Sequence, residues 1–171
     1  MNPRSFALAL ALLLPCLPAG TVAEESVPAA ETPRVIDWAA LMPPDWSPPD
    51  ADPSRFFHDP DTAAMNQPPD APLVKDMDGA LVILEGWLVP LEWDVERFHE
   101  FLLVPYFGAC IHVPPPPPNQ IVHVVLAAGL DEEALYEPQR LTGRLSTQGV
   151  ASDLAVAGYR MLDARAELAQ W

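Results

Sequence analysis

The chain has 171 residues, half of them hydrophobic, with 22 prolines and a formal net charge of −15. That is enough for one domain with a sizeable core plus appendages. The acidic balance speaks against a nucleic-acid face, which needs a basic surface, and against docking on anionic lipid.

The N-terminus reads as an export leader. Arg4 gives a short positive start, an apolar run follows from Phe6 to Leu14, and Thr21-Val22-Ala23 fits the small-residue rule for cleavage. The run is too short to span a bilayer. Residues 1–23 are therefore expected to be a signal peptide, the mature protein periplasmic, and the mature chain without a transmembrane segment. Lipid anchoring at Cys16 is the less favoured form, because Pro15 stands where a small residue is expected. Cleavage removes Cys16, leaves Cys110 as the lone thiol and rules out an internal disulfide.

Residues 24–75 form an acidic, proline-rich arm. Pro43-Pro44, Pro48-Pro49 and Pro68-Pro69 block regular structure. Trp38, Trp46, Phe56 and Phe57 are more rings than a disordered linker carries, so the arm is expected to lie along the domain. A short helix is expected over Val35–Met42, starting near Asp37 and ending at Pro43. His58 reads as an exposed turn residue.

Residues 76–171 are expected to be the folded domain. Ala80–Val89 is a β-rich run that stops at Pro90, with Gly86 marking a bulge or sharp bend. Glu92–His99 is a polar connection. Further strands are expected at Glu100–Tyr106, Gln120–Ala127, Arg140–Thr147 and Gly158–Leu168. A short helix at Asp131–Tyr136, capped by Asp131 and ended by Pro138, separates the third strand from the fourth. Five strands with a helix at that place predict a mainly β fold, a small five-stranded OB-like barrel.

The unusual chemistry lies between the second and third strands. If Cys110-Ile111-His112 is extended, Cys110 and His112 project from one face with Cα atoms ~6–7 Å apart. That spacing lets a sulfur and a nitrogen reach one ion, zinc most naturally. His123 on the return strand and a carboxylate, Glu92 or Asp94, are candidates to complete the site. Against this stand bland readings: Cys110 as a buried small hydrophobe, and His123 as a half-buried strand histidine. A thiolate hydrolase is a rival, with a histidine lowering the pKa of Cys110 and Asn119 or Gln120 as oxyanion donor. A third class is interaction. Pro114–Pro118, flanked by Tyr106 and Phe107, makes a stiff apolar element of the kind partners recognise, unless it packs on the domain's own rings.

Gly86-Trp87-Leu88-Val89-Pro90-Leu91-Glu92, followed by Glu100 through His123 with its Cys110, His112 and Pro114–Pro118, resembles the DUF3299 family of small exported bacterial proteins. The resemblance covers about Leu81 to Tyr159. The family carries no settled activity. It implies a role near zinc handling, beside an ABC-type permease and ATPase complex or a periplasmic metal-binding protein. The expectation is thus a periplasmic, non-enzymatic accessory protein holding zinc through Cys110, His112, His123 and Glu92. A metal-free adaptor is the alternative and a cysteine-dependent hydrolase the third reading.

Overall fold

The computed structural model describes residues 31–48, 67, 71–92, 95–111, 113 and 115–170. The expected leader at 1–23, and with it Cys16, lies outside these residues, as do Phe56, Phe57, His58, Asp94, His112 and Pro114. The strands are β1 (Arg34–Val35), β2 (Leu81–Pro90), β3 (Phe98–Val104), β4 (Val122–Leu130), β5 (Gln139–Ser146), β6 (Val150–Ala151), β7 (Val156–Ala157) and β8 (Tyr159–Leu168).

The main sheet runs β1-β2-β3-β4-β8-β5, and β5 pairs back onto β2. Strands β2, β3, β4, β5 and β8 therefore close into a mixed barrel, mainly β as expected. The one parallel contact inside it is β4 with β8, from Val122–Tyr159 to Val124–Met161. The 3-10 turn Glu132–Tyr136 sits between β4 and β5. It stops at one short turn because Pro138 follows. Asp131 makes no cap bond there; its carboxylate is taken by Arg97 Nη1 at 2.6 Å.

Alternation builds the core. Val82, Leu84 and Leu88 of β2, Phe101 and Leu103 of β3, and Val122, Val124 and Leu126 of β4 all point into the barrel, with Leu141, Leu145, Tyr159 and Met161. Each fully buried large side chain contributes roughly 1.5–3 kcal/mol. Gly86 is where β2 changes partners, pairing with Gln139 of β5 at Gly86 and with Val104 of β3 at Trp87. It turns the corner of the barrel, where a Cβ would lie 2.5 Å from the Val104 carbonyl oxygen.

The first described part of the arm belongs to the wall. β1 adds two parallel pairs to β2. The expected helix over Val35–Met42 is only a 3-10 turn, Trp38–Leu41, whose start is fixed by Asp37 Oδ1 accepting from the Ala40 N–H at 3.0 Å. Trp38 Nε1 donates to the Glu85 carbonyl at 2.8 Å. The buried Tyr159 hydroxyl donates to the Leu41 carbonyl and accepts from the Val74 N–H. Among the described residues, no helix is long and apolar enough to cross a membrane.

Candidate functional site

The outer face of β2, β3 and β4 is apolar too. Val89, Leu102 and Val104 point outward, and Ile121 just before β4 joins them. In an OB barrel this is the face that commonly meets ligands. Here the protein covers it itself. Ala109 and Cys110 come down from the loop after β3, and Ala155 and Ala157 from the β6–β7 hairpin, to make a second buried cluster.

The loop is shaped to bury two residues and expose their neighbours. Gly108 and Cys110 both have left-handed backbone, at φ 81° and 65°. The N–H groups of Ile111 and Val113 both donate to the Gly108 carbonyl. The chain doubles back, pressing Ala109 and Cys110 onto the barrel. Tyr106, Phe107, Ile111 and Val113 stay 43, 56, 43 and 36% exposed. Phe107 is braced by Trp87 of β2, with ring centroids 5.0 Å apart and planes at 65°.

This corrects the geometry on which a shared ion at Cys110 and His112 was argued. That spacing needs extended backbone, and Cys110 sits in a left-handed turn. Its sulfur is packed among aliphatic side chains and the residue is 4% exposed. Burial pushes the thiol up to about 12, so it stays protonated near neutrality. Its own partial burial, and then the nearby Cys110, raises the Tyr106 phenol.

The remaining candidates lie in different settings. His123, on β4, is 3% exposed. Its Nε2 lies 2.6 Å from Glu100 Oε1, while its buried Nδ1 has no partner. Glu100 escaped the sequence reading, although a carboxylate in an otherwise apolar strand beside a histidine-bearing strand was its signal. Glu92 accepts from the backbone N–H groups of His99 and Glu100, at 2.7 and 3.1 Å, and these hold its carboxyl below the usual range. It thus ties down the irregular start of β3. His112 lies outside the described residues. Among the described residues, no three His, Cys, Asp or Glu side chains come together as a metal site.

Asn119 and Gln120 act as struts. Asn119 Nδ2 donates to the Pro72 carbonyl, and Gln120 Nε2 to the carbonyls of Trp38 and Asn119. The proline rod packs on the domain: Pro115 and Pro116 are buried. Gln67, an isolated polar residue that no sequence signal singled out, donates to the Pro116 carbonyl at 2.9 Å.

Comparison with known proteins agrees with this architecture. The model of the family described as "Protein of unknown function (DUF3299)" matches residues 38–168. A DUF3299 family protein from Pseudomonas aeruginosa PAO1, known from its crystal structure, is 39% identical; the match covers 82% of this chain and 99% of that one, with a TM-score of 0.71. No curated protein matches the chain. A barrel of this topology, matched from Trp38 to Leu168, makes the chain a member of the DUF3299 family.

Proposed function

We propose that this is a non-enzymatic accessory protein of the periplasm that docks on a protein partner through the loop Tyr106–Val113. One observation carries the reading: four large apolar side chains stand exposed on a loop whose centre is locked into the barrel. Exposed apolar groups clustered on a rigid support mark contact surfaces, because little ordering entropy is left to lose on association. The rings supply the contact. The periplasmic location rests on the leader read in the sequence, and the family resemblance points to an ABC-type permease and ATPase complex as partner. The protonated thiol and the engaged amides of Asn119 and Gln120 speak against a hydrolase.

The test is co-purification of that membrane complex with the full-length protein and with a Phe107→Asp/Ile111→Asp variant. Loss of the complex with the variant, at unchanged thermal stability, is expected; undiminished recovery overturns the reading.

Zinc binding is the second reading, and a specific observation favours it. His123 has one ring nitrogen held by a carboxylate and the other buried without a partner, as in histidines that ligate metals. Cys110, His112 and Glu92 are the other candidates, and Cys110 and Glu92 would have to leave their present surroundings. Zinc titration of the wild type against Cys110→Ser and His123→Gln variants tests it. Equal binding by all three removes both residues from any site.

A further inference from the structure

The cover on the barrel's outer face ends at His123. Val122 and Val124 point into the core, so Ile121, His123 and Val125 point out. Ile121 lies in the covered cluster, whereas Val125 is 52% exposed. On β8, Tyr159 and Met161 point in, so Arg160 and Leu162 share the outer face. Arg160 stands directly across the parallel ladder from His123. One residue past the last ladder pair, Val124–Met161, Val125 and Leu162 form an exposed apolar strip.

At this border two side chains are each one bond short. Among the described residues three buried side-chain polar atoms lack a partner, and two of them belong to the one ladder pair: His123 Nδ1 and Arg160 Nε. Neighbouring strands lie about 4.8 Å apart, so one ligand group can serve both. Glu100 holds the far side of the ring, at Nε2. Arg160 carries a permanent charge and, among the described residues, is in no ion pair. Its ladder partner on β5 is the neutral Ser146. In a chain of net charge −15, this spot is left with an unbalanced positive charge. That charge disfavours a cation at Nδ1 and suits an anion.

We propose that Arg160 and His123 bind the carboxylate of an aliphatic ligand, whose chain lies over Val125 and Leu162. The guanidinium fork matches the two carboxylate oxygens. A charged imidazole donates from both nitrogens, here to Glu100 and to the ligand. The half-buried Arg160 and the exposed strip beside it leave the approach open. The proposal does not depend on the Tyr106–Val113 loop being a docking site, and it competes with zinc for the same nitrogen.

The probe is sodium octanoate, titrated calorimetrically against the full-length protein, with octanol as the uncharged control. Octanoate should bind more tightly than octanol and shift the His123 ring resonances. Affinity should fall at least about tenfold in Arg160→Gln, whose Nε has no partner to lose. Val125→Asp, at an exposed position, is the second variant and should weaken binding at an unchanged thermal midpoint. Phe107→Asp should bind octanoate as the wild type does. Zinc uptake by Arg160→Gln equal to that of the wild type keeps failure of this proposal apart from failure of the zinc reading. A short peptide with a free C-terminal leucine is the second arm: tighter binding than octanoate assigns the carboxylate to a protein terminus, weaker binding to a free acid. Octanol bound as tightly as octanoate, affinity unchanged by Arg160→Gln, or no binding of either carboxylate at millimolar concentration each overturns the proposal.

Discussion

Gln67 and Val156 exchange a reciprocal pair of hydrogen bonds: the side-chain Nε2 donates to the Val156 carbonyl, and the Val156 N–H donates to Oε1, both at 2.8 Å. With the bond to the Pro116 carbonyl, this one side chain ties the proline rod to β7. Gln67→Ala strands three partners. A loss on the order of 2–3 kcal/mol in urea denaturation is expected. Amide exchange should accelerate first in the Ala155–Ala157 stretch, ahead of the barrel strands. Exchange that accelerates uniformly would show that the cover and the barrel melt together.

Cys110 should make the protein sensitive to alkali. Its thiol is raised from 9.0 to about 12 in the folded protein. Between these values the unfolded chain has lost the proton and the folded one keeps it. Stability therefore falls as pH rises from 9, by about 1.4 kcal/mol per unit from this group. A Cys110→Ala variant should lack that slope in denaturation measured at several alkaline pH values. Alkylation of the native thiol near neutrality should be slow, and rapid once denaturant is added.

Glu92 and Asp78 should act at the other end of the scale. Two backbone N–H groups depress the Glu92 carboxyl, and the Thr147 N–H depresses Asp78. A depressed folded value means stability that is present above the unfolded value and lost as pH falls through the folded one. The thermal midpoint should drop more steeply on acidification below about pH 4.5 in the wild type than in Glu92→Gln, which keeps an acceptor without titrating. Parallel acid profiles for the two would remove Glu92 from the linkage.

Gly86→Ala should be costly although the backbone there suits any residue. The added Cβ meets the Val104 carbonyl oxygen at 2.5 Å and the Trp38 ring at 2.9 Å. Overpacking of this kind costs about 1–3 kcal/mol, readable as a lowered urea midpoint. Gly79→Ala has open space around the new methyl. Its φ of 79° still strains any L-residue, so this variant isolates the backbone cost from the collision.

Two strands of the barrel are legible because they alternate. β5 runs buried and half-buried in strict turn from Gln139 to Ser146, and β2 does so up to Leu88. Gly86 was read as a bend and serves as the corner. Local pattern is silent on what comes from elsewhere in the chain. The outer cluster draws on Val89, Ala109, Ile121 and Ala157, which share no period. Cys110 and His112 were paired by assuming extended backbone, and Gly108 offered the only cue to a tight turn. The struts Gln67, Asn119 and Gln120 find carbonyls at Val156, Pro72 and Trp38 respectively, partners no window can pair. The bulge at Asp163 of β8 follows from a register shift opposite Gly143, a glycine that stands in mid-strand in the sequence with no sign of what it faces.

The position of β8 has a consequence for biogenesis. It wedges between β4 and β5, strands completed earlier along the chain. Until Tyr159–Leu168 arrives, the half-made cylinder has two bare flanks and nothing to zip them. A polypeptide emerging from a ribosome or threading a translocation pore therefore cannot mature piece by piece. It must wait, vulnerable to proteases and to mispairing, and then lock in a late, long-range step.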